Sequence, residues 1–186
     1  MKRFVDLTLI FVTMLLLALP IIMVSVLVKL TSKGPILYWS DRVGKDNIIF
    51  KMPKFRSMKI NTPVVATHLL SDPKSVLTPV GDFLRKSSLD ELPQLWSIFK
   101  GHMSFVGPRP ALFNQDDLID LRTSKGVHKL VPGLTGWAQI NGRDELPIPK
   151  KVALDVEYLR HQSLWIDFKI MWLTFIKVIK KDGVSH

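Results

Sequence analysis

No cysteine occurs among the 186 residues. That excludes disulfide staples, thiol catalysis and any cysteine-held zinc. Internal repeats and low-complexity tracts are missing, as is any G-x-S-x-G or Ser/His/Asp order that would mark a serine hydrolase. The five histidines, His68, His102, His128, His161 and His186, include no pair at helical metal-ligand spacing, so each reads as structural. Acidic residues are few beside basic ones, 16 against 26, for a formal charge of +10. Such a balance favours an anionic partner or surface. Basic–aromatic nucleic-acid motifs are absent, so the charge is not assigned to nucleic acid. Disorder is excluded by an apolar fraction of 47%. The length suits one domain with an appended segment.

Charge is missing altogether from Leu7 to Val28. As a helix this run reaches about 33 Å, enough to cross a hydrocarbon core. A signal peptide would have a shorter apolar part and a small-residue cleavage site, whereas Lys29-Leu30-Thr31-Ser32-Lys33 follows. The run is therefore a retained membrane segment. Pro20 within it removes one helical hydrogen bond and predicts a kink. Lys2 and Arg3 precede the run, and eight basic residues against two acidic ones follow between Lys29 and Ile60. Both flanks therefore prefer the cytoplasmic side. A re-entrant hairpin broken at Pro20 satisfies both flanks; a kinked straight span is the alternative.

Beyond the membrane segment the pattern predicts a small α+β unit, mainly α-helical with short β strands. Strands are expected at Ile36–Trp39 and Ile48–Met52, around the polar turn Gly44–Asn47. Helices are expected over Asp90–Lys100, closed by Gly101, and over Ala111–Thr123 and Lys150–Arg160. Ser163–Lys181 is amphipathic, with lysines on one side and Trp165, Phe168, Met171, Trp172 and Phe175 on the other. Its apolar face belongs either in the core or in a membrane interface.

Three stretches carry candidate chemistry. The first is Arg85-Lys86-Ser87-Ser88-Leu89-Asp90-Glu91-Leu92-Pro93. Ser88 and Glu91 have the spacing of a capping box, a purely structural role. With Asp90 nearer the cap, Pro93 falls in the first turn, where it is tolerated. The adjacent carboxylates then sit at the positive end of a helix, which binds phosphate and keeps a carboxylate ionised. Asp90 would serve as a nucleophile and Glu91 as an oxygen ligand for Mg²⁺. The second stretch, Val106-Gly107-Pro108-Arg109-Pro110, fixes one arginine between two prolines, either as a rigid connector or as a pre-aimed grip on phosphate. The third, Pro132–Arg143, has glycines that allow close backbone approach and ends in a cation. It lacks the Lys-Ser/Thr ending of a P-loop and would otherwise be a loop followed by a strand.

Together with Lys54-Phe55-Arg56-Ser57-Met58, Gly101–Pro110 and Pro132–Gly136, these stretches resemble the bacterial sugar transferase family, the small monotopic phosphoglycosyl transferases. The resemblance covers nearly the whole chain, and the size resembles the minimal catalytic form. It implies a re-entrant membrane helix over residues 1–33 and a cytoplasmic catalytic domain over 34–186 with amphipathic interfacial helices. It also implies transfer of a sugar 1-phosphate from a UDP-sugar to polyprenyl (undecaprenyl) phosphate, with release of UMP. Asp90 would attack the phosphorus that carries the sugar, and Glu91, with Asp90, would hold Mg²⁺. Arg85, Arg109 and Arg143 align with family arginines placed around the phosphates, and Lys54 and Arg56 join them as phosphate- and substrate-binding candidates. The family breaks its membrane helix at Ser-Pro; this chain reads Leu19-Pro20. Implied partners are the two substrates and membrane lipids at the inner face of the bacterial cytoplasmic membrane, with homodimerisation left open. Residues 64–67 and 109–115 and the run from Asn141 to Pro147 look most like members that use UDP-N-acetyl-6-deoxyhexosamines, in the first membrane step of surface polysaccharide or glycoprotein glycan synthesis. Two other readings stay open: direct glycosyl transfer from a nucleotide sugar, and a non-enzymatic binder of lipid or nucleic acid.

Overall fold

The computed structural model describes residues 1–65, 72, 74–142 and 146–180. The architecture is mixed, with seven α-helices and four short strands among the described residues.

Helix α1, Lys2–Thr31, is long and apolar enough to cross a membrane by length and composition, and its most apolar window is only 11% buried. Helical turns run on both sides of Pro20, with no loop between them. One stripe of α1 packs against the rest of the chain along its whole length. Ile10, Leu17 and Ile21 meet Phe50, Met52, Leu95 and Ile98. Val24 and Val28 meet Phe55 and Leu84. The opposite stripe, including Phe4, Phe11, Leu15, Leu19, Ile22 and Val26, is exposed. A helix of thirty residues reaches about 45 Å, and here both of its ends lie on the same globular unit.

Strands β1, Leu37–Val43, and β2, Ile49–Phe55, form an antiparallel hairpin, longer than the predicted strands. Asp46 and Asn47 take positive φ in the connecting turn, a conformation their short polar side chains tolerate. Helix α2, Gly81–Lys86, follows. The single helix expected over Asp90–Lys100 is instead a 3₁₀ turn, Leu89–Gln94, running into α3, Leu95–Lys100. Pro93 lies in the tighter turn, and Gly101 closes α3 at φ 86°, as expected of a left-handed cap.

Strands β3, Ser104–Val106, and β4, Gly133–Thr135, pair in parallel. Glycine is required here, because a Cβ on Gly133 would lie 2.1 Å from the Gly107 nitrogen. Helix α4 begins at Asp116 and ends at Ser124, later than the predicted Ala111 start. The Gln115 side chain accepts from the Leu112 amide at 2.8 Å, and Leu112 bridges to Arg42, so residues before α4 stay extended. Helix α5 spans Trp137–Ile140, α6 Ile148–His161 and α7 Leu164–Lys180. The last two match their predicted spans closely.

In α7 most of the predicted apolar face is not core, although Met171 packs against a buried cluster. Trp165, Phe168, Trp172 and Phe175 are exposed, while Asp167 and Ile170 are buried. The first turns of α1 and α7 meet through an ion pair between Lys2 and Asp167, whose carboxylate also accepts the Tyr158 hydroxyl at 2.7 Å. The exposed aromatics of α7 thus sit on a helix whose first turn is tied to that of α1.

Candidate active site

A cleft of about 440 Å³ opens between the hairpin, the 3₁₀ turn and helices α4 to α6. Its wall includes Lys54, Arg56, Arg85, Asp90, Glu91 and Arg109, six of the seven residues singled out in the sequence for substrate chemistry. Arg143 lies outside the described residues.

The capping-box reading of Ser88 and Glu91 is not realised. Ser88 occupies a left-handed conformation at φ 57° and its side chain makes no cap bond. The Glu91 side chain turns into the cleft instead. Its Oε1 accepts from Lys54 Nζ at 2.8 Å and from Arg109 Nη2 at 3.0 Å. One carboxylate oxygen thus ties the end of the hairpin to the proline-flanked arginine.

Asp90 is 6% exposed. Among the described residues its carboxylate has no hydrogen-bond partner, although it faces the same cleft. The two neighbours have opposite electrostatics. Burial pushes the Asp90 carboxyl up to about 6, against the attraction of Lys54. Burial also acts to raise Glu91, but Arg109 and Lys54 outweigh it and hold that carboxyl well below the ordinary range. Burial lowers Lys54 despite the pull of Glu91. Adjacent carboxyls driven apart in this way are suited to different roles. Glu91 is held toward its ionised form and engaged by two cations. Asp90, with its carboxyl near 6, is ionised at neutral pH and among the described residues accepts no hydrogen bond, a condition that favours nucleophilic attack.

Arg56 lines the cleft while its Nε donates to the Pro35 carbonyl at 2.9 Å. Residues not singled out in the sequence also contribute. Arg42 comes from β1, Arg122 from α4, Gln139 from α5 and Lys151 from α6. They come from four separate elements, and only the folded chain brings them to one wall.

Among the described residues no cluster of three or more His, Asp or Glu side chains could hold a metal alone. Among the described residues, Asp90 and Glu91 are the acidic side chains in the cleft wall. Glu91 Oε2 carries no hydrogen bond among the described residues, which leaves hard oxygen donors from both residues. That set fits Mg²⁺, which takes one or two protein carboxylates and completes its shell with water and substrate phosphates.

A family model described as bacterial sugar transferase matches residues 1–181. The chain belongs to that family. It is 42% identical over 186 residues to UDP-glucose:undecaprenyl-phosphate glucose-1-phosphate transferase of Escherichia coli K12, covering 95% of this chain and 40% of that protein. It is 35% identical over 185 residues to the UDP-galactose-lipid carrier transferase of Erwinia amylovora, covering 90% of this chain and 38% of the relative. An uncharacterized sugar transferase of Bacillus subtilis, EpsL, is 37% identical over 188 residues, covering all of this chain and 91% of the relative. The chain therefore spans about two fifths of the first two relatives and nearly all of the third.

Proposed function

We propose that this bacterial sugar transferase is a membrane-associated phosphoglycosyl transferase. It moves a sugar 1-phosphate from a UDP-sugar to polyprenyl phosphate and releases UMP. The names of the relatives support the reaction class. The observation that carries the chemistry is Asp90, a buried carboxylate that accepts no hydrogen bond among the described residues, set beside Lys54, Arg85 and Arg109.

An Asp90 oxygen attacks the phosphorus that bears the sugar, forming an aspartyl–phosphorus bond. The bond from that phosphorus to the bridging oxygen breaks, and UMP leaves with the electron pair. A phosphate oxygen of the lipid then attacks the same phosphorus, the aspartyl bond breaks, and Asp90 is again a carboxylate. Lys54, Arg85 and Arg109 neutralise the charge that accumulates on the phosphoryl oxygens. Glu91 holds Lys54 and Arg109 in place. Mg²⁺ bound through Asp90 and Glu91 would supply further neutralisation of phosphate charge.

Both ends of α1 rest on the catalytic unit, which supports a re-entrant placement with the cleft on the cytoplasmic face of the inner membrane. The exposed aromatics of α7 support an interfacial seat beside α1. The donor sugar is decided by assay. The sequence resemblance points to an N-acetylated, 6-deoxy hexosamine, whereas the relatives' names carry glucose and galactose.

The test is direct. Enzyme mixed with a panel of UDP-sugars and no acceptor is digested and its peptides are weighed. A phosphosugar mass on the Asp90 peptide, with stoichiometric UMP, is expected. Acceptor-dependent product without that adduct, or with the adduct elsewhere, refutes the covalent route.

A further inference from the structure

Arg109 stands between Pro108 and Pro110, and proline fixes φ at both flanking positions. A residue that precedes proline is itself confined to extended backbone. What remains free in such a segment is chiefly the rotation of each peptide plane about ψ. Here each plane has a donor. The Gly133 amide donates to the Pro108 carbonyl at 2.9 Å. Arg122 Nη1 donates to the Arg109 carbonyl at 2.8 Å. Arg42 Nη1 donates to the Pro110 carbonyl at 3.2 Å.

The middle contact holds the Arg109 peptide plane itself, and with the two flanking contacts it anchors the backbone from which the Arg109 side chain projects. Arg122 is in turn held by α6. Its Nε and Nη2 donate to Asp155 Oδ2 at 3.0 and 2.7 Å, and the two side chains are 9% and 2% exposed. A planar guanidinium with both edges engaged has little freedom of its own. Lysine, a point charge, lacks the planar fork that here engages the Asp155 carboxylate with one edge and the Arg109 carbonyl with another nitrogen.

We infer that Arg122, clamped by Asp155, is a positioning residue that orients Arg109 toward Glu91 and the donor phosphates. It acts through the Arg109 carbonyl, from a helix that contributes neither carboxylate of the site. The inference rests on the phosphoglycosyl transferase reading for its kinetic consequences, but the geometry it asserts is independent of that reading.

The experiment is a double-mutant cycle on full-length protein in one detergent, read as UMP release from UDP-sugar. Arg122→Lys should lower kcat/KM by about tenfold in the wild-type background. In an Arg109→Ala background the same change should cost less than about twofold, because its target is gone. Losses that multiply would overturn the inference and place Arg122 in independent contact with substrate or in general stability. If Arg122→Lys fails to fold, Asp155→Asn, which keeps the shape of the pair, is carried through the same cycle. A second readout needs no turnover. The guanidinium Nε–H NMR resonance of Arg109, assigned by its loss in Arg109→Lys, should shift in Asp155→Asn; an unmoved resonance overturns the inference. Absence of UMP release from the wild type would instead sink the reaction and leave the NMR arm to decide this point.

Discussion

The Asp6 carboxylate of α1 accepts the Ser104 hydroxyl at 3.0 Å, and the same oxygen accepts the Phe105 amide at 3.1 Å. A charged residue of the apolar helix is thus bonded to β3, the strand that leads into Gly107-Pro108-Arg109. Asp6 and Ser104 are both buried. Asp6→Ala should destabilise the protein by about 2 kcal/mol, because it leaves buried donors unpaired. Asp6→Asn, which keeps an acceptor, should lose less. Thermal unfolding in detergent checks both. Equal melting of Asp6→Ala and wild type would show the contact to be idle.

Asp90 gives a prediction in which stability and turnover move oppositely. Its carboxyl titrates at about 6 in the folded chain, above the ordinary value, chiefly because of burial. A raised value means that folding favours the protonated form. The stability from that group is complete below the ordinary carboxyl range and is lost as pH rises through about 6. Asp90→Asn should therefore melt several degrees higher than wild type near pH ~8 and nearly level with it near pH ~4. The same substitution should abolish UMP release. In wild type, initial rates should climb as pH rises through about 6, where the nucleophile ionises. A flat rate profile across that range would remove Asp90 from the chemistry.

Arg109→Lys keeps a positive charge but loses the planar fork. Arg109 Nη2 bonds Glu91, and the rest of the guanidinium lies in the cleft wall. Turnover should fall by about tenfold or more, with the defect in kcat rather than in folding. Steady-state kinetics alongside a melting curve separate the two. Near-normal kcat would show that a point charge suffices.

The absence of native cysteine makes topology simple to read. A cysteine appended before Met1 and one at Lys33→Cys should both react with an impermeant maleimide from the same face of oriented vesicles. Labelling from opposite faces would establish a spanning helix. In a protein retaining only Trp172, 62% exposed on α7, brominated lipids should quench the fluorescence. Unquenched emission would put that face in water.

Elements governed by local pattern are legible in the sequence. The spans of α6 and α7 followed from apolar spacing, the Gly101 cap from its conformational freedom, and the cleft residues Asp90, Glu91 and Arg109 from two dense stretches. What local pattern does not carry depends on partners far along the chain. Ser88 and Glu91 have capping-box spacing, yet Lys54, 37 residues away, and Arg109, 18 away, draw the glutamate side chain into the cleft. Arg122 and Asp155 are ordinary helix residues until α4 and α6 pack. The exposed face of α7 could not be assigned from periodicity, because a core stripe and a lipid stripe have the same spacing.

The packing of α1 has a consequence for how the protein comes into being. Phe50, Leu95, Ile98, Phe55 and Leu84 have α1 as one of their walls. Trimming the greasy helix to obtain a tractable water-soluble enzyme would strip the interior rather than detach a tether. Maturation and bilayer engagement are therefore coupled events: until the leading segment has docked, the remainder has no finished inside.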